Sequence, residues 1–591
     1  MTDERNELVA LRNEIALLRS QTRLGLTWEN KSEDCADQLR TGIPVLTEDI
    51  SRAVLTAPDA PENYIFEGEN LHALHVLAHT HASKVDLIYI DPPYNTGSED
   101  FIYNDKFVDP EDSYRHSKWL SFMERRLRIA RDLLSPMGAI IIAIDDNEYA
   151  RLTMLCDQVF SETNYLGTFV WDGGRKNDSH FISTGHDYML VYSRNKRLLE
   201  DSHVRYKVRK QGLEEIYRQV GKLTRKHGKD YSAMSSGLKK WYSELAADHP
   251  SKANKHYCWV DERGAYFAAD ISWPGGGGPT YKVVHPLTRR ACKSPSRGWV
   301  FASTTRMQEM IEENRIHFGK DETSVPCVKR YLQDTESEVI KSVFYKDRRA
   351  ASKDLRALLG RKAFDYPKDV PVLARIFSSI VGENKKALLL DFFAGSGTTA
   401  QAVLEMNKAD GGTRSFILVT DNENSIAEEI CYPRVAAVIN GYDKHDGKGK
   451  TTPVPGIPAN LRYYRVELVD KLDESGEAKP ADDLRVDLAA ALDDTIKFAE
   501  NVQQEVSSGP SWRILTNDDH YVGIVHKQRA LTQFKKALAK LDNSRQATVY
   551  VFSYGADDYS SDFTDSTREV TLHSLPEGFL ATHALLSEVP R

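Results

Sequence analysis

The sequence predicts an α/β fold: a doubly wound sheet interrupted by a long insertion and followed by a small C-terminal α/β module. Three observations predict it. Two short apolar runs, Val85–Ile90 and Leu388–Leu390, each stop at an aspartate followed by a turn rich in Pro or Gly. Runs of that length and Ile/Leu content suit strands buried on both faces. Between them, residues 196–345 become basic, aromatic and glycine-rich. At 591 residues the chain exceeds one ordinary core, and length alone suggests about three or four domains.

Taken in order, residues 1–60 read as an N-terminal helix and a connecting arm. Leu8, Leu11, Ile15 and Leu18 lie three or four apart over residues 5–20, as in an amphipathic helix suited to docking or to a homodimer contact. Residues 61–195 form the first half of the core. Its expected elements are the strand at 85–90, a helix near 114–135 with Trp119, Met123, Leu127 and Leu134 inward, and a strand at 139–144. A helix near 147–160 and strands at 165–171 and 187–193 follow. The insertion spans 196–345, where four consecutive glycines after Pro274 dictate a loop. Residues 346–445 form the second half, with a helix at about 398–407 and a strand at 416–420 ending in Asp421-Asn422-Glu423. Residues 446–510 read as a linker, a strand near 461–468 and a helix near 485–506. Residues 511–591 form the C-terminal module.

The chemistry lies where the two marked strands end. In Asp91-Pro92-Pro93-Tyr94 the prolines fix φ twice and donate no N–H, giving a stiff turn. That turn holds one carboxylate, two carbonyls and one aromatic ring in fixed relation, which suits a planar base with an exocyclic amine. A plain Pro-Pro turn is its bland alternative. After Asp391 comes Phe392-Phe393-Ala394-Gly395-Ser396-Gly397-Thr398. Its glycines permit close backbone approach and positive φ, and the helix behind offers unpaired N–H groups to an anion. Alone, this is a tight strand–helix turn. With the acid after the next strand, placed where doubly wound folds accept a ribose hydroxyl, it makes a nucleoside-binding half.

Together, Asp91-Pro92-Pro93-Tyr94 and Phe393-Ala394-Gly395-Ser396-Gly397 resemble the DNA amino-methyltransferases dependent on S-adenosyl-L-methionine. The order, with the tetrapeptide before the glycine loop, resembles their β class, and most closely the modification subunit of type III restriction–modification systems. Gly68-Glu69-Asn70-Leu71, Ile144-Asp145-Asp146-Asn147-Glu148, Tyr366-Pro367-Lys368 and Leu575-Pro576-Glu577 also resemble that family. Glu69, Asp369 and Asp421 depart from its usual residues.

The resemblance implies methyl transfer to adenine N6 in double-stranded DNA, with the target base flipped out of the duplex. Asp91 and the Pro92 carbonyl would take the two N6 hydrogens, Pro93 would stiffen the turn, and Tyr94 would stack on the base. Asp391 would accept from the methionine amino group, and Phe393, Ala394, Gly395, Ser396, Gly397 and Thr398 would line the cofactor loop. Lys368 would take the cofactor carboxylate and Asp421 or Glu423 the ribose hydroxyls. Asn70 would border that site, a helix N-cap being its other reading. Asp145 and Asp146 end a strand on the same edge, with loop capping as their alternative. The insertion is then the expected target-recognition domain, and a helicase/nuclease restriction subunit the expected partner. Other readings are a stand-alone methyltransferase, a recognition subunit guiding such a partner, or cytosine N4 as target.

Net charge is −8, which alone argues against nucleic acid. Distribution matters more. Arg205, Lys207, Arg209, Lys210, Lys222, Arg225 and Lys226 crowd one stretch with interleaved tyrosines, and with Asn95 they are the candidate DNA contacts. A solvated helix face is the bland alternative. The six scattered cysteines have no metal or disulfide spacing. Neither a membrane span nor a signal peptide is expected, which points to a cytoplasmic protein.

Overall fold

The computed structural model describes residues 28–587 except 59, 98–100, 104–105, 110, 175–180, 248, 446–449, 518, 556, 558, 565 and 567. The amphipathic helix expected at 5–20 lies outside the described residues. The chain divides into two compact units, residues 1–205 with 341–591, and residues 206–340.

The first unit is built on an eleven-stranded sheet. Ten of its strands are β1 (Gly42–Glu48), β2 (Glu62–Glu67), β3 (Val85–Ile90), β4 (Leu134–Ile144), β5 (Tyr165–Asp172), β6 (His186–Ser193), β7 (Val343–Tyr345), β8 (Leu388–Asp391), β9 (Ser415–Thr420) and β10 (Asn460–Asp470). They lie in the order β1-β10-β2-β9-β8-β3-β4-β6-β5-β7, and the short strand Val54–Leu55 pairs with β10. The pairs from β10 to β4 are parallel. Leu87, Ile88 and Ile90 of β3 have no exposure, as expected of a strand covered on both faces.

Helices α1 (Asn70–Thr80), α2 (Arg115–Leu133), α3 (Val370–Val381) and α4 (Thr398–Asp410) cover the sheet. Trp119, Met123, Leu127 and Ala130 of α2, spaced four, four and three apart, are fully buried. Leu134, expected on this helix, instead opens β4 and pairs with Val85. The crossover β3-α2-β4 runs one way along the sheet and β8-α4-β9 the other, while β8 and β3 pair in parallel through Leu389 with Leu87 and Leu390 with Ile88. Strand order therefore reverses between β8 and β3, and the ligand crevice of a doubly wound fold opens beyond such a reversal.

Three segments differ from the sequence reading. The expected arm contains a helix, Asp34–Thr41, and strand β1. β1 is the sheet's edge, where Pro44 costs no ladder bond on the open side, and proline in so short a run hides it. The expected linker pairs Gly441–His445 with Thr451–Pro455 in an antiparallel ribbon. The helix expected through 506 is two helices, Ala481–Ala491 and Asp493–Glu500, ended by Asn501 at φ +51°. Residues Gln504–Gly509 then begin a five-stranded C-terminal sheet. The apolar residues of that module pack against Ile43 and Val45 of β1.

The second unit holds a four-stranded antiparallel sheet, Trp259–Asp261, Gly264–Ala269, Cys327–Tyr331 and Ile316–His317. Helices Leu213–His227 and Tyr231–Glu244 pack beside it around Ile216, Leu238 and Tyr257. Gly275, Gly276 and Gly277 adopt φ of +77°, +87° and +75°, which only a glycine run holds without strain. Among the described residues no helix is long and apolar enough to cross a membrane.

Candidate active site

Asp91 follows β3 directly, and Tyr94 Oη donates to Asp91 Oδ1 at 2.9 Å. The Trp119 indole N–H donates to the Pro93 carbonyl at 2.8 Å, so one of the turn's two carbonyls anchors α2. Asn95 is buried at φ +57°, and its Nδ2 donates to Glu148 Oε1 at 2.5 Å. His116 Nδ1 lies 2.5 Å from the same oxygen. Glu148 has no exposure, and burial raises its pKa even though His116 and Asn95 favour the charged form. Asn95 thus holds the turn from inside. The Lys368 ammonium lies 3.0 Å from Asp91 Oδ1 and 3.5 Å from Asp187 Oδ2, and donates to Tyr94 Oη at 2.5 Å. Arg348 pairs with the other Asp187 oxygen at 2.9 Å.

On the neighbouring strand, Asp391 is buried, accepting from Phe393 N–H at 3.0 Å and from the Thr399 hydroxyl at 2.5 Å. Burial pushes its carboxyl up to about 7, with the Asp91 charge adding to the rise. Among the described residues, a Cβ placed on Gly395 would meet only Phe364 Cζ, at 3.5 Å, and the Phe393 carbonyl, at 4.0 Å. Ser396 and Thr398 are buried, and Arg434 Nη1 donates to the Ser396 carbonyl and hydroxyl and to the Thr398 hydroxyl. These two hydroxyls therefore brace the loop from behind. Ala394 is buried and Phe393 packs near Phe122.

Glu69, rather than Asn70, caps α1, accepting from Leu71 N–H. Asn70 instead donates to the Phe392 carbonyl at 3.0 Å and accepts from Arg126 Nε at 2.5 Å, tying α1 to the glycine loop. Arg126 is fully buried between Glu33 and Glu69, at 2.7 and 2.6 Å. Asp421 and Glu423 are exposed beyond β9, with Glu423 N–H donating to Asp421. Asp145 caps its own loop through Asn147, and Asp146 accepts from Tyr188.

The basic candidates fall into two groups. Lys222, Arg225 and Lys226 stand exposed on the helix whose other face buries Ile216 and Leu223. Arg205 and Lys207 are also exposed. Arg209 is met by Glu214 and Glu336, while Lys210 donates to Tyr257 Oη and the Thr335 carbonyl. Those two charges serve their own unit.

The residues that sequence reasoning missed are Glu148, His116, Asp187, Arg126 and Arg434. Asp187 carried a faint signal, an acid at the head of an otherwise apolar strand. Glu148 sat beside the weighed Asp145 and Asp146.

Strand, turn and glycine loop lie within a region, residues 85–431, that matches the family model described as DNA methylase. The chain belongs to the DNA methylase family. It is 30% identical over 437 residues to the type III restriction–modification enzyme EcoP15I Mod subunit of Escherichia coli, covering 68% of this chain and 65% of that one. It is 30% identical over 419 residues to the StyLTI Mod subunit of Salmonella typhimurium, covering 66% and 58%. The chain thus spans somewhat less than two thirds of these relatives' lengths. The type II methyltransferase M.KpnI of Klebsiella pneumoniae is 29% identical over 387 residues, covering 64% of this methylase and 85% of that one.

Proposed function

We propose that this methylase transfers a methyl group from S-adenosyl-L-methionine to adenine N6 in double-stranded DNA, as the modification and specificity subunit of a type III-like restriction–modification system. The observation that carries this reading is the parallel pairing of β3 with β8, which sets the Asp91 turn beside the glycine loop at the reversal of strand order. The cofactor supplies a methyl on a positively charged sulfur, an excellent leaving group.

The residues around the loop fit such a ligand. Gly395 leaves open space where a side chain would project, and Asp391 is a buried carboxyl with a raised pKa and, among the described residues, no cationic partner. Asp391 would accept from the amino group, Asp421 or Glu423 from the ribose hydroxyls, and Lys368 would meet the carboxylate. At the other loop, ionised Asp91 is acceptor-only and takes one N6–H, while the Pro92 carbonyl takes the second. Holding both hydrogens would localise the nitrogen lone pair towards the methyl, and the surplus N6 proton would leave through its hydrogen bond to Asp91. Catalysis then rests on positioning and electrostatics.

Reaching that nitrogen in a duplex requires flipping the base, at a cost of a few kcal/mol. Residues 206–340, with Lys222, Arg225 and Lys226 exposed on one helix, would supply phosphate contacts and read base edges to offset it. Asn95, buried against Glu148, would act on the turn rather than on DNA. A helicase/nuclease subunit and a second copy of this chain are the proposed protein partners.

Mass spectrometry of nucleosides from DNA incubated with the protein and the cofactor tests the reading. N6-methyladenine is the expected product; N4-methylcytosine would move the target, and no methylated nucleoside would overturn the reading.

Asp391 gives a pH dependence. Its folded value, about 7, lies above its ordinary 3.8, so the ligand-free protein loses stability as pH rises between those values. An ammonium partner needs the ionised form, so binding near pH 6 must release a proton. Cofactor affinity is expected to rise by up to about tenfold per pH unit below 7 and then level off. Calorimetry in two buffers of different ionisation enthalpy measures the proton; affinity independent of pH from 5.5 to 7 would refute the pairing.

A further inference from the structure

The Asp91 turn already holds a nitrogen. The Lys368 ammonium lies 3.0 Å from Asp91 Oδ1, donates to Tyr94 Oη, and sits 4.9 Å from the centre of the Tyr94 ring. These are the carboxylate and the aromatic ring that the proposed chemistry gives to the adenine amine and its base. A donor held there stands where the substrate donor must stand. We propose that Lys368 is an internal occupant of the target-base site, drawn off by the cofactor carboxylate, so that the site opens to a flipped base only once the cofactor is bound. This rests on the methyltransferase reading above.

The charges around Lys368 fit an exchange. Asp187 is almost fully buried, but its other oxygen is already paired with Arg348, which leaves Asp91 as the nearer counter-ion of Lys368. The backbone beside it is fixed, because Asp369 caps α3 by accepting from Val372 N–H. The side chain is a flexible four-carbon stem carrying a point charge. Moving from the Asp91 carboxylate to a ligand carboxylate keeps the half-buried ammonium paired throughout and leaves Asp91 acceptor-only. Entry of a base without the cofactor would instead break the Lys368–Asp91 pair and leave the ammonium only the longer contact to Asp187, which Arg348 already shares, and an under-compensated charge in such a place is costly. The same lysine would thus report cofactor occupancy to the base site, and unpaired adenines would not be held by an enzyme that has no methyl to give.

The test uses the full chain and a duplex carrying 2-aminopurine at the adenine mapped by methylation sequencing, with S-adenosylhomocysteine as an inert cofactor product that retains the carboxylate. For the native protein, fluorescence from the flipped base should rise only when S-adenosylhomocysteine is present. Lys368→Met should give the rise without it, and should bind S-adenosylhomocysteine about tenfold or more weakly through loss of a charge-assisted contact. Lys368→Arg, which keeps a charge, should retain the dependence. Unfolding cannot produce a gain of base flipping. Flipping by the native protein without cofactor, or a Lys368→Met protein that still needs it, would overturn the proposal alone. Failure to find any methylated adenine would overturn the methyltransferase reading and this proposal with it.

Discussion

Asp91→Ala is expected to lower methyl transfer by roughly 10²–10⁴-fold while cofactor binding survives. The carboxylate is the proposed N6–H acceptor, and alanine leaves that hydrogen with nothing to receive it. The Tyr94 hydroxyl loses its acceptor and Lys368 its nearest carboxylate as well. The effect on the cofactor runs the other way. The Asp91 charge contributes to the raised pKa of Asp391, so its removal eases ionisation of Asp391. Affinity measured by calorimetry below pH 7 should therefore be unchanged or somewhat tighter. Turnover close to the native rate would sink the assigned role. Loss of cofactor binding together with activity would show that the two loops do not divide the work as proposed. Asp91→Asn sharpens the point, because its amide adds a donor where only an acceptor serves.

The framework was legible because its strands are buried on both faces. Val85–Ile90 and Leu388–Asp391 are continuous apolar runs with turn chemistry at one end, and a parallel sheet leaves that pattern in sequence whatever its neighbours. The reversal of strand order was inferred only as a condition, since pairing between residues 87 and 389 leaves no local mark. β1 and the Gly441–Pro455 ribbon were missed because prolines and polar residues on edges and exposed ribbons look like loop. The site followed the same division. Asp91, Tyr94, Asp391 and Gly395 stand at strand ends, where backbone chemistry announces them. Glu148, Asp187, Arg126 and Arg434 act through contacts made across the fold, and their partners lie tens to hundreds of residues away. Asn70 shows how the two kinds mix. Its place at a helix start was visible, but its bond to the Phe392 carbonyl was not.

Gly395→Val is expected to abolish cofactor binding, with a loss of at least about 100-fold, while the fold persists. Gly395 has φ +48°, a conformation that a β-branched residue adopts only at a cost of about 1–3 kcal/mol. Among the described residues the nearest atom to a side chain there is Phe364 Cζ, at 3.5 Å, which leaves free the space proposed for the cofactor. Two other glycines separate strain from occlusion. Gly411, at the far end of the same helix, has φ +69°, and among the described residues beyond its chain neighbours no atom lies within 4 Å of where a Cβ would stand. Gly411→Val therefore carries comparable backbone strain without touching the loop. Gly397 has φ +75°, and its Cβ would press on Cys431 Sγ at 3.1 Å and Val435 Cγ2 at 3.3 Å. The three valine variants should then part company. Gly395 and Gly411 variants should show similar losses in thermal stability, yet only the former should lose the cofactor, and the Gly397 variant should lose both most severely. Unchanged affinity in Gly395→Val by calorimetry would refute the loop as the cofactor cradle. Equal loss of binding in Gly411→Val would show that helix strain, rather than occlusion of the crevice, was being measured.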